Sequence, residues 1–215
     1  VQFDTTNITY ISSTFDSNSN KVVIAYRDGG NSNRGKAIVG TVSGTNISFG
    51  SEVLFETGNS QYISSTFDSN SNKVVIAYQD GGNSNYGTAI VGTVSGTSIS
   101  FGTAVIFRSN SSQYISATFD TTSNKVVIAY SSTGNVLGSA IVGTVSGTGI
   151  SFGSETVWES TAYQTTKSVV YDASSNRVVI AYRDDGDSNK GKAIVGTVSG
   201  TSISFGSKVV FEAGA

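Results

Sequence analysis

The chain has 215 residues, of which 37% are hydrophobic and only 13% charged, with 13 Lys and Arg against 15 Asp and Glu for a formal net charge of -2. That is enough apolar material for a buried core in one or two domains, and too little positive charge to attract a phosphate backbone or an anionic lipid surface, so nucleic-acid and membrane partners are excluded as expectations. Cys, His, Met and Pro are absent, which removes disulfides, thiolate nucleophiles, Ser-His triads and His-bearing zinc sites, and no stretch approaches the ~18 apolar residues of a spanning helix.

The chain opens in mid-pattern at Val1, which points to a processed product or a segment of something longer. A first full strand is predicted from Tyr10 to Asp16, a second from Lys21 to Arg27, a third from Lys36 to Ser43 and a fourth from Ile47 to about Phe55. Each is rich in Val, Ile, Thr, Tyr and Phe at the two-residue period of strands, and no segment keeps helical spacing over three turns. Asp16-Ser17-Asn18-Ser19-Asn20 reads as an Asx-type turn and Ser43-Gly44 as a tight hairpin turn. The second strand is apolar on both sides, with Val22, Ile24 and Tyr26 facing one way and Val23 and Ala25 the other, so both of its faces need cover.

This pattern recurs along the chain. Lys21-Val22-Val23-Ile24-Ala25-Tyr26 returns from Lys73 and Lys125 and as Arg177 to Tyr182, 52 residues apart each time. Ala37 to Thr45 returns from Ala89, Ala140 and Ala193, and Ile47-Ser48-Phe49-Gly50 from Ile99, Ile150 and Ile203. One residue is lost between Tyr130 and Ala140 and one gained between Trp158 and Tyr171, both between periodic segments. The repeats run over about 8–59, 60–111, 112–162 and 163–215, with 1–7 as a closing segment. An isolated sheet with two apolar faces must be covered by its neighbours, so the expected fold is all-β: a four-bladed β-propeller with four antiparallel strands per blade. Small residues on the first strands (Ser12, Ser13, Ser64, Ser65, Ser116 and Ala117) suit a narrow axis. A β-solenoid or a larger ring built from two chains are the alternatives. Val1-Gln2-Phe3-Asp4 shares the phase of Val53 to Glu56 and Val209 to Glu212, so one terminus either closes the ring from outside its own repeat or continues into a neighbouring module. Closure is the favoured expectation.

The unit N-K-V-V-I-A-Y-x-D-G-G-N-S-N-x-G-x-A-I-V-G-T-V-S-G-T-x-I-S-F-G, as it stands at Asn20 to Gly50 and Asn72 to Gly102, resembles repeats of structural and tail-associated proteins of marine phages and of large bacterial surface proteins. The resemblance implies a propeller-like adhesive or structural module and carries over no binding residue. The third copy departs from the unit at Ser131-Ser132-Thr133, and the fourth has Thr165-Thr166-Lys167 in place of Tyr-Ile-Ser. Richness in Asn, Ser, Thr and Gly without Cys or Met suits an extracellular or virion-surface location.

In a meander the tight turns emerge on one face and the longer connections on the other. The loops between second and third strands, Arg27 to Arg34, Gln79 to Tyr86, Ser131 to Leu137 and Arg183 to Lys190, vary between copies. So do the connections Thr57 to Gln61, Ser109 to Gln113 and Ser160 to Gln164. Variation gathered on one supported face marks a place for binding. The candidate ligand residues are Tyr26, Arg27, Asp28 and Asn31; Tyr78, Gln79, Asp80 and Asn83; Tyr130 and Asn135; and Tyr182, Arg183, Asp184 and Asp187. Carboxylates and amides beside an aromatic ring are what sugar recognition needs. The competing reading is that Asp-Gly-Gly-Asn is turn chemistry and the four tyrosines are core, each with its hydroxyl reaching a loop.

Asp16-x-Asn18-x-Asn20 and Asp68-x-Asn70-x-Asn72 have the alternate-oxygen spacing of a calcium loop. The middle oxygen becomes Thr122 or Ser174 in later copies and no distal Glu follows, so no metal and no cofactor are expected. Trp158 fills the slot of Phe55, Phe107 and Phe211 and reads as packing, whereas Val136-Leu137 reads equally as a contact patch or as an inward-folded pair. A glycosidase would need acids near the axis, but Asp16, Asp68, Asp120 and Asp172 lie at turn ends, so an enzyme is not expected. Two readings remain: a lectin-like or adhesive module that binds glycan or a surface partner, and a purely structural module of a virion or extracellular filament. A homo-oligomer or tandem neighbour is an expected partner in either.

Overall fold

A computed structural model describes residues 7–132, 137–160 and 164–214. Among them every regular element is a β-strand, and all strand pairs are antiparallel. The first repeat forms module 1 from β1 (Ile8–Asp16), β2 (Lys21–Asp28), β3 (Arg34–Ser43), β4 (Asn46–Phe49) and β5 (Val53–Glu56). Module 2 comprises β6 (Ser60–Asp68), β7 (Lys73–Asp80), β8 (Tyr86–Ser95), β9 (Ser98–Phe101) and the start of β10 (Val105–Asp120). Module 3 takes the rest of β10 with β11 (Lys125–Ser132), β12 (Leu137–Ser146), β13 (Gly149–Phe152) and β14 (Thr156–Glu159). Module 4 is β15 (Gln164–Asp172), β16 (Arg177–Asp184), β17 (Lys190–Ser199), β18 (Ser202–Phe205) and β19 (Val209–Glu212).

The meander predicted for each repeat is present, with two differences. The outer strand is split: β4 pairs with the end of β3 and β5 with its beginning. The break falls at Gly50, whose N–H donates to the Val39 carbonyl at 3.0 Å. A side chain there would put its Cβ 1.9 Å from the Thr97 carbonyl oxygen of module 2, so only glycine lets the modules approach. The connection from Ser109 to Gln113, expected as loop, is strand: β10 pairs first with β8 and then with β11, fusing modules 2 and 3 into one nine-stranded sheet.

The cores lie between modules rather than within them. Val23, Ala25, Ala37, Val39 and Phe55 of module 1 pack on Ile63, Val74, Ile76 and Tyr78 of module 2, and equivalent sets join modules 2 to 3 and 3 to 4. This is why the second strand is apolar on both sides: one face of β7 meets module 1 and the other meets module 3. Burying one such Val or Ile side chain contributes roughly 1.5–3 kcal/mol, so most of each module's stability comes from its neighbours.

The inner strands pack in series, β1 on β6, β6 on β10 and β10 on β15, and no comparable packing joins β15 back to β1 among the described residues. The closed four-membered ring expected from the sequence is therefore not seen in this packing. Val1 to Asp4, the proposed closing strand, lie outside the described residues. Register also corrects one assignment. Ser168 pairs with Ala181 as Ser116 pairs with Ala129, so Thr166-Lys167-Ser168 fill the Tyr-Ile-Ser positions of the fourth copy.

Candidate functional site

The four tyrosines of the second strands are core. Tyr26, Tyr78 and Tyr130 are fully buried and Tyr182 nearly so, and three of the hydroxyls turn to carboxylates: Tyr26 donates to Glu52 at 2.8 Å, Tyr78 to Glu56 at 3.0 Å and Tyr182 to Glu159 at 3.5 Å. Burial pushes the phenols of Tyr78, Tyr130 and Tyr182 well above their ordinary range. The rings of Tyr26, Tyr78 and Tyr130 are taken up by the packing, and that of Tyr182, also buried, borders a cavity on module 4.

The aspartates beside them hold the loops together. Asp28 Oδ1 accepts the N–H groups of Gly30 and Asn31 at 3.0 and 3.1 Å, and Asp28 Oδ2 pairs with Lys36 at 2.7 Å. Asp80 Oδ1 accepts from Gly82 and Asn83 at 2.9 and 3.1 Å, with its pKa raised by burial and by nearby Glu56. Asp184 accepts from Gly186 and pairs with Lys192 at 2.8 Å. These are Asx turns, completed by left-handed pairs such as Ser32 and Asn33 at φ 56° and 61°. Asp187 is bound by Lys190 and Lys192, whose hydrogen bonds draw its pKa down to about 2. Asn31 and Asn83 remain at the loop tips, half-buried and exposed respectively. Asn135 and Val136 lie outside the described residues, while Leu137 is half-buried at the start of β12. The carboxylates of the calcium-like spacing are likewise engaged in turns: Asp16 Oδ1 accepts from the N–H groups of Asn18 and Ser19, and Asp68 Oδ1 from Asn70 and Ser71.

The position after each tyrosine reaches toward the next module. Arg27 donates to Thr9 at 2.8 Å and across the groove to Asn59, the residue before β6 of module 2, at 3.5 Å. Gln79, itself buried, donates to Ser111 of β10, at the point where that strand passes into module 3, at 3.1 Å. Ser131 accepts from Lys167 of module 4 at 2.5 Å. Arg183, in the fourth module, is half exposed and held by Asp185 at 2.7 Å.

The groove between modules carries aromatic rings that the sequence reading missed. Tyr10, Tyr62 and Tyr114 sit on the β-bulges of the inner strands, each with φ near 50°. The bulge adds a residue to the inner strand at each of these half-buried rings. They form a stair, Tyr10 to Tyr62 at 5.2 Å and Tyr62 to Tyr114 at 5.1 Å between centroids. A cation lies at each end: the Arg27 guanidinium 4.8 Å above Tyr10 and the Lys167 ammonium 5.5 Å from Tyr114. Burial lowers the Lys167 amine to about 7, against the opposing pull of Asp185. A bulky residue at positive φ is uncommon, and three in register form an outlier of the kind that gathers at functional sites. The one signal in the sequence was a Tyr at the same point of three repeats. A cavity of about 490 Å³ opens on the outer face of module 4, lined by Lys167, Ser168, Tyr182, Arg183, Phe211 and Glu212 among others.

No protein-family model and no curated protein matches the chain. Solved structures do. A mutant of Aleuria aurantia lectin in complex with alpha-methyl-L-fucoside superposes on the whole chain with a TM-score of 0.61 at 14% identity, and the match takes in 64% of that lectin. AofleA from Arthrobotrys oligospora matches 95% of the chain with a TM-score of 0.53 at 9% identity, and a triple arginine-to-alanine mutant of it matches 96% with 0.54 at 11%; the matches take in 59% and 60% of those chains. The chain thus spans about three-fifths of the length of the proteins it resembles, and at these identities the likeness is one of fold: an all-β array like that of β-propeller lectins.

Proposed function

We propose that this chain is a non-catalytic carbohydrate-binding module whose four repeats serve as propeller blades, with glycan seated in the grooves between adjacent blades on the face of the longer loops. The observation that carries the reading is the match of the entire chain to a lectin captured with a fucoside. The chemistry of the groove supports it. A sugar ring presents C–H faces that want an aromatic plane and hydroxyls that want fixed polar partners. Tyr10 and Tyr62 offer the planes, while Arg27 and Asn59 offer a charged donor and an amide at the same groove. Display on a virion or cell surface suits a chain without Cys or Met, and the resemblance of its repeats to phage and bacterial surface proteins supports that placement.

The test is a glycan array that includes fucosides, algal and bacterial glycans, followed by calorimetry on any hit. Arg27→Ala and Tyr62→Ala are each expected to weaken binding tenfold or more with an unchanged circular dichroism spectrum. Absence of binding across the array, or binding indifferent to both substitutions, overturns the reading.

A further inference from the structure

Each joint between modules is built from the same rungs. At the axis a serine hydroxyl accepts an amide N–H of the next module: Ser12 from Ser65 at 2.9 Å, Ser64 from Ala117 at 3.0 Å and Ser116 from Val169 at 3.1 Å. At the rim a glycine receives the next module's hairpin carbonyl, Gly50 under Thr97, Gly102 under Thr148 and Gly153 under Thr201, where an added Cβ would lie 1.9–2.0 Å from the oxygen. Between axis and rim an aromatic ring enters the next core, Phe55 on Tyr78, Phe107 on Tyr130 and Trp158 on Tyr182.

The outer face of module 4 repeats this set uncovered. Ser168 is exposed, and Gly206 meets only its own Val195 carbonyl at 3.8 Å. Phe211 is 65% exposed where Phe55 is 7%, and Val195 is 45% exposed where Val39 is 0%. The opposite face of module 1 carries the reciprocal half. Ser13 and Thr45, the counterparts of Ser65 and Thr97, are exposed, and Ile11 is 56% exposed where Ile63 is 7%.

We infer that these two faces are the halves of one joint, and that each is covered by a second copy of this chain docked head to tail, module 4 of one copy against module 1 of the next. Three joints of the same residues already exist inside the chain, so a second copy carries the complementary surface for each face. The interface is heterologous, since the two surfaces differ. The cavity on module 4 is then an open half-joint.

Sedimentation equilibrium tests this on the intact chain and needs no glycan, so its outcome is separate from that of the carbohydrate reading. The chain is expected to show an average mass above 22.2 kDa that rises with concentration. Phe211→Asp and Ile11→Asp change side chains that are already exposed; each variant alone is expected to be monomeric, and an equimolar mixture is expected to form a dimer and nothing larger, because only one intact face of each kind remains. A wild-type chain that stays monomeric up to high concentration, a single variant that still associates, or a mixture that does not overturns the inference.

Discussion

Arg108 stands where the other modules place Glu56 and Glu159, and in consequence the hydroxyl of Tyr130 is buried with no hydrogen-bond partner among the described residues. The guanidinium lies 5.9 Å from the Tyr130 ring and is itself paired with Glu155, so the module exchanges an acceptor for a cation and leaves the phenol stranded.

An unpaired buried hydroxyl costs about 1–3 kcal/mol, while a satisfied one contributes about 1 kcal/mol. Tyr130→Phe is therefore expected to be neutral or stabilising, and Tyr78→Phe, which removes the donor to Glu56 Oε2, to destabilise by about 1–2 kcal/mol. Urea unfolding of both variants, compared at constant slope, measures the difference. Equal losses at the two sites would contradict the assignment.

Glycines at equivalent points of the repeat should differ in their tolerance. Gly102→Ala drives a methyl to 2.0 Å from the Thr148 carbonyl oxygen, against backbone that cannot yield cheaply, and is expected to cost roughly 2–3 kcal/mol. Gly206→Ala meets nothing nearer than 3.8 Å and is expected to change monomer stability by less than about 0.5 kcal/mol. Thermal unfolding at low protein concentration, where head-to-tail docking is dissociated, compares them.

Lys167 replaces the buried Ile63 and Ile115 of the inner strands, and burial draws its amine from 10.5 down to about 7. Between those values the unfolded chain holds a proton that the folded chain has released, so stability should rise with pH from about 7 toward 10. The residue is only half-buried, which limits the gain to about 1–2 kcal/mol. In Lys167→Met that rise is expected to vanish, with a stability at pH 7 above that of the parent. A slope that persists in the variant would assign it to other groups.

Strand positions, turns and the count of repeats were legible because they are local: a two-residue apolar period and Asp, Asn and Gly at fixed offsets fix β1 to β4 whatever surrounds them. The second strand's two apolar faces likewise announced that modules must cover one another. The site was less legible. Tyr26 and Tyr10 are the same residue type sixteen positions apart in one repeat, and what separates core from groove is a bulge at Tyr10 and a neighbouring module over Tyr78 and its counterparts. The fate of Ser168 and Gly206 is still further from local pattern. Their sequence is that of Ser64 and Gly102, and only the angle at which successive modules meet, a sum of many packing contacts, decides whether they find a partner within the chain or on another copy.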